Sequence, residues 1–225
     1  MKRKWAGPLL IAAMVLLALW AFPRLPAEVP SHWNAQGEVD DWSSRWIVLV
    51  PPGISLLVWL LMQGLRRVDP RAPNYERFEP TFWLIVNLTI LIMAVVHVMT
   101  IGAALEWPLP AVDVIMIISF GVLLLVLGNV LPRVRSNWWM GVRTPWTLSS
   151  ERVWRSTHRL AGRTFVLGGL IVLSGLLLPS EWRLYLVMVA IGVSALVPAV
   201  WSWFDWRREQ RGPPDPGQAA GNRLP

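Results

Sequence analysis

The sequence contains no cysteine. That removes disulfides, thiol nucleophiles, cysteine-ligated zinc and c-type haem attachment together. Charge is scarce as well. Asp, Glu, Lys and Arg make up 16% of the 225 residues, against about 25% in a soluble domain. Only three histidines occur, and there is no His-Glu-x-x-His, nucleophile elbow or phosphate loop. What is plentiful is apolar: 54% of the chain is hydrophobic, with 16 tryptophans. Long apolar runs with little charge make lipid the main solvent.

Six runs are long enough to cross a bilayer: 5–22, 46–65, 81–105, 111–131, about 161–178, and 182–204. In lipid each must satisfy its own backbone hydrogen bonds, so each is predicted to be a helix. Strand-period alternation, which a membrane barrel needs, is missing. The expected fold is all-α, an integral membrane protein with six spans. It divides into a two-span unit (1–65) with an outer loop (23–45), a cytoplasmic linker (66–80), a four-span core (81–205) and a disordered, Pro/Gly-rich tail (206–225). The first run has no convincing small-x-small cleavage site and reads as an uncleaved anchor. Pro51-Pro52-Gly53 predicts a kink or break at the outer end of span two. Gly121/Gly128, Gly168/Gly175 and Ala190/Ser194 have the spacing of close helix contacts.

The net charge of +7 follows from topology. With both termini cytoplasmic, 18 of the 21 Lys and Arg residues fall on the cytoplasmic side, and only Arg24, Arg45 and Arg183 do not. This is the positive-inside pattern of a multi-pass cell-membrane protein. It accounts for the basic balance without direct nucleic-acid binding. Nine of the tryptophans sit near predicted span ends, where an amphipathic ring prefers the interface.

The densest polar chemistry runs over 137–162, a cytoplasmic segment between spans four and five. Pro145 disfavours helix at Thr144. Thr147-Leu-Ser-Ser-Glu151 then reads as a helix start, with Ser149 as the cap. The predicted cytoplasmic amphipathic helix places Arg152, Arg155, Arg159 and Arg163 on one side. Val153, Thr157, Leu160 and Ala161 form the other, with Trp154 and His158 at its border. Two readings stand: the arginines reach anionic lipid headgroups, or the surface docks a cytosolic partner.

The pattern Asn137-x-x-x-Gly141-x-Arg143-Thr144-Pro145-Trp146-Thr147-Leu148, then Val153-Trp154-x-x-Thr157-His158-Arg159-x-x-Gly162, resembles the core motif of the SdpI-type immunity protein family. The stretch that includes His32-Trp33-Asn34, Gly37 and Asp40 is similar to the small N-terminal domain that often accompanies it. The resemblance implies a multi-pass protein that protects its producer from a secreted killing peptide. It also implies a possible receptor role, in which a cytosolic repressor is held at the membrane. It carries Asn137, Gly141, Arg143, Thr144, Pro145, Trp146, Trp154, Thr157, His158 and Arg159 as functional motif residues. No catalytic residue, cofactor or metal is implied.

Polar groups inside the spans raise a second question, because they are costly in lipid and often functional. His97 can meet Asp113 or Glu106 in the outer half, or pack as a hydrogen-bonded core histidine. Asn87 and Asn129 can pair across spans three and four. The outer loop is predicted to turn tightly at Asn34-Ala-Gln-Gly37, with His32 and Trp33 beside the turn. Its acids attract a cationic peptide; alternatively it caps the spans. Two other function classes remain open. A transporter or channel calls for a continuous polar path through Asn87, His97 and Asp113. A membrane enzyme calls for a site around Arg143, Glu151 and His158, or Ser149 or Ser150 paired with His158.

Overall fold

A computed structural model describes residues 2–211. Seven α-helices form: α1 (Ala6–Ala21), α2 (Val50–Val68), α3 (Glu79–Ala104), α4 (Val112–Val130), α5 (Pro145–Ser149), α6 (Glu151–Ser174) and α7 (Ser180–Gln210). All but the five-residue α5 belong to segments long and apolar enough to cross a membrane. The six-span, all-α membrane fold is therefore the one that forms. One element is added to it. The loop after α1 folds into an antiparallel hairpin, β1 (Glu28–Trp33) and β2 (Val39–Ser44).

The hairpin follows from its turn chemistry. Asn34 Oδ1 accepts the N–H groups of Gln36 and Glu38, each at 2.9 Å. Gly37 sits at φ +82°, a conformation glycine adopts without penalty. A register irregularity lies between Pro30 and Trp33, which re-aims Ser31 and His32. Val29 is buried with Ala18, Ala21, Leu25, Val48 and Ile101, so β1 is fixed to the ends of α1 and α3.

Several boundaries differ from the sequence reading. Pro51 and Pro52 occupy the first turn of α2. A missing N–H costs nothing there, so they start the α-helix, and the outer end of the span, Arg45–Leu49, is a 3-10 helix. The amphipathic segment is no separate helix, because α6 runs unbroken from Glu151 to Ser174 and carries the basic turns directly into span five. Nothing between Leu160 and Leu167 breaks a helix once Gly162 is held by packing. α7 continues to Gln210, so the tail is helical at its start. Residues 212–225 lie outside the described residues.

The spans group three and three. α3 packs along both α1 and α2, whereas α4, α6 and α7 pack tightly together, and α3 and α4 touch at few points. α3 thus packs with the two spans of the 1–65 segment as it leads into the rest of the core. In the second unit α4 and α6 meet backbone to backbone. A methyl group added at Gly128 would lie 2.6 Å from Val166 N and 2.7 Å from Gly162 O. Gly168 faces Ala190 and Ser194 of α7, as their spacing suggested.

Successive spans alternate in direction, which gives the bundle two distinct ends. One carries the hairpin, the α3–α4 turn and the start of α7. The other carries the 66–80 segment, the 131–150 segment and the end of α7.

Candidate functional site

At the second end the 137–162 motif folds into a bonded unit. Asn137 is fully buried. Its Oδ1 accepts the N–H groups of Trp139 (2.9 Å) and Met140 (2.7 Å), while its Nδ2 donates to Arg135 O (2.8 Å) and Met140 O (3.0 Å). One side chain thus replaces the secondary structure this loop lacks. Gly141 follows at φ +106°, with its α-carbon against His158.

His158 is 1% exposed and stacks on Trp154, with ring centroids 4.1 Å apart. Its Nδ1 lies 2.9 Å from Trp154 O, and its Nε2 accepts the Val142 N–H at 3.1 Å. A carbonyl only accepts, so Nδ1 carries the proton and the ring is the neutral Nδ1–H tautomer. Trp154 is fully buried and donates to Val134 O at 2.9 Å. Trp154 and His158 therefore lie in the core, not at the helix border. Thr157 is buried with its hydroxyl unpartnered.

Thr144 caps α5: its Oγ1 accepts the Thr147 N–H at 3.1 Å, and the Thr144 N–H donates to Thr147 Oγ1 at 2.9 Å. Pro145 takes the first helical position. Thr144 also meets Ser202 of α7 at 2.9 Å. The cap of α6 is Ser150, whose Oγ accepts the Val153 N–H at 3.2 Å. Ser149, the expected cap, instead donates to Trp146 O.

Arg143 is exposed and donates to Trp138 O at 2.8 Å. Trp146 is half-buried, while Arg155, Arg159 and Arg163 remain exposed. Arg152 is exposed as well but engaged. It pairs with Asp205 (3.0 Å) and Glu209 (2.9 Å), tying the start of α6 to the end of α7.

Four functional candidates escaped the sequence reading: Asp69, Arg71, Asn74 and Tyr75, in the segment read as a linker. Asp69 is 4% exposed. Its carboxylate accepts the Tyr75 hydroxyl (2.7 Å), the Trp138 N–H (2.9 Å) and the Arg71 N–H (2.7 Å). The Arg71 guanidinium bonds Ser136 and, at 2.5 Å, Leu148 O, and Asn74 donates to Ser136 O at 2.7 Å. The first unit thereby clasps the motif loop of the second. The available signal was Asp69-Pro-Arg71-x-x-Asn74-Tyr75, a polar cluster too dense for a plain linker.

The intramembrane polar residues do not converge. Asp113 pairs with Arg183 at 2.5 Å, and not with His97. His97 is fully buried and faces the backbone of Val48, with no regular hydrogen bond at either ring nitrogen. Asn87 lies beside Gly7 of α1. Asn129 is exposed and donates to Leu125 O in its own helix. Asn129 thus turns to its own helix and not to Asn87, and α3 and α4 touch at few points. Among the described residues His97 and Asp113 share no hydrogen bond or ion pair. An enzyme site around His158 also lacks a free ring nitrogen, and Ser150 is engaged by Val153 and by Glu209 at 3.0 Å. At the other end His32 Nδ1 meets Asp40 at 2.6 Å, and Asn34 donates to Glu38 at 3.1 Å.

Two three-helix units, a hairpin at one end and a clasped polar loop at the other define a multi-pass helical membrane protein. Residues 133–202 match the SdpI/YfhL protein family, and residues 9–56 match a domain of unknown function (DUF1648). The immunity protein SdpI of Bacillus subtilis (strain 168) is 22% identical over 212 residues, covering 94% of this chain and 99% of that protein. The chain is thus similar to the SdpI/YfhL family over 133–202 and to an immunity protein along nearly its whole length. No solved structure matches it.

Proposed function

We propose that this chain is a cell-membrane immunity protein that gives its host resistance to a secreted antimicrobial peptide by binding, without turnover. Both termini and the 137–162 motif lie in the cytosol, and the hairpin with His32, Trp33, Asn34, Gly37 and Asp40 lies outside. The likeness to an immunity protein along nearly the whole chain supports the role. The concentration of Lys and Arg at the motif end supports the orientation.

The observation that carries the mechanism is the double attachment of the motif loop. It is bonded to the first unit through Asp69 and Arg71, and to the second through His158 and Thr144. A ligand that changes how the two units meet acts on this loop. A cytosolic transcriptional repressor then reads its exposed face, where Arg143, Trp138 and Arg159 stand. Arg155, Arg159 and Arg163 also reach anionic lipid headgroups.

The test is expression in a peptide-sensitive host. Survival of cells that hold the chain in their membranes supports the role. Unchanged killing with confirmed membrane insertion removes it for that peptide.

A further inference from the structure

At the hairpin end a cavity of about 450 Å³ opens between the two units. Ligand pockets run from about 300 to 1,000 Å³. The walls are apolar, with Met99 from α3, Met116 and Phe120 from α4, and Val187 from α7. The roof is the hairpin turn with His32, Trp33 and Asn34. Gly37 closes it against α4, since a methyl group there would lie 3.2 Å from Asp113 N. The Ser31 hydroxyl lines the same space, buried and without a hydrogen-bond partner.

The charges around the opening decide what fits. Arg183, the cation in the wall, is already engaged by Asp113 at 2.5 Å and Leu178 O at 3.1 Å. Its charge is balanced by Asp113. The outer loop 23–45 carries Glu28, Glu38, Asp40 and Asp41 against Arg24 and Arg45, and of these the two strands and their turn hold only the acids. Those carboxylates stand on the hairpin outside the cavity lining, and an apolar hollow under a hairpin of net negative charge is complementary to an apolar segment with a basic flank.

We infer that this cavity is the binding site for a cationic amphipathic peptide, whose apolar side chains fill the space between the units while its basic residues meet Glu38, Asp40 and Asp41. The inference rests on the reading of the chain as a peptide-immunity protein and places the ligand within it. Because the cavity lies between the units, its filling changes the same interface that the Asp69 clasp closes at the far end.

The absence of cysteine makes the test direct. Met116→Cys is placed in the full chain in phosphatidylcholine nanodiscs, and thiol modification is timed. The probe is a short synthetic peptide of Leu and Phe with lysines at one end. Its counterpart carries glutamates there. The lysine peptide is expected to slow modification at position 116 several-fold and saturably. Glu38→Gln, Asp40→Asn and Asp41→Asn together raise the half-saturating concentration about tenfold. Leu196→Cys, on the exposed face of α7, is unaffected.

An unchanged rate at position 116, or equal protection by the glutamate peptide, overturns the assignment. Survival of a peptide-challenged host alongside an unprotected position 116 would leave the immunity role standing and remove only this site. Protection at 116 without survival would do the reverse.

Discussion

Gly141 packs directly against the His158 ring: a methyl group at position 141 would clash with Nε2, so no side chain fits there while the imidazole accepts the Val142 N–H. The φ of +106° adds a second barrier to any other residue. Gly141→Ala is therefore expected to destabilise the protein by about 2–4 kcal/mol, combining backbone strain with displacement of a buried ring. Thermal unfolding in detergent reads the loss.

Arg143 and His158 belong to the same motif yet should behave differently. His158 is buried and bonded to two backbone groups, so His158→Ala acts through folding. Arg143 is exposed with one bond to Trp138 O, so Arg143→Ala should leave stability within about 0.5 kcal/mol. If the motif face is read by a partner, Arg143→Ala loses repressor capture in membrane pull-downs at normal protein level. A fall in melting temperature equal to that of His158→Ala would assign Arg143 a structural role instead.

Asp69 holds the two units together at the motif end. Asp69→Ala leaves three donors without their acceptor and should cost roughly 3 kcal/mol or more. Asp69→Asn keeps one oxygen and should fall between. Limited proteolysis should show cleavage within 66–80 in the alanine variant first.

The Arg152–Asp205 pair is asymmetric. The arginine side chain is half exposed and the aspartate only 8% exposed. Removing the arginine strands a buried carboxylate, whereas removing the aspartate frees an arginine that solvent can receive. Arg152→Gln should therefore destabilise more than Asp205→Asn, and the second change should partly rescue the first. A double-mutant cycle is expected to give a coupling of about 1 kcal/mol, limited by the exposure of the arginine. Equal single effects that add without coupling would contradict this.

The spans were legible in the sequence because apolar length is a local property. So were the hairpin turn, from Asn34 and Gly37, and the basic bias of one end. Helix continuity was harder. The charge change near Leu160 suggested a boundary, but charge alone does not break a helix, and α6 passes through it. Pairings between distant segments were not legible. Periodicity gives each helix a face but not its neighbour, so His97 stood as one of the partners open to Asp113, whereas Arg183, 70 positions away, holds it. The grouping of α3 with α1 and α2, and the Asp69 clasp, were missed for the same reason. Within the motif, Asn137, Thr144 and Trp154 were found by resemblance. Their physical task, replacing backbone hydrogen bonds in an irregular loop, became visible only in three dimensions.

The receptor mechanism requires the two ends of the bundle to face opposite sides of the membrane. In this cysteine-free chain, single cysteines at Gln36 and Ser149, both exposed, report it directly. A membrane-impermeant thiol reagent added to intact cells should modify Gln36→Cys and reach Ser149→Cys only after permeabilisation. Modification of Ser149→Cys in intact cells, with Gln36→Cys protected, would contradict the orientation and the receptor mechanism built on it.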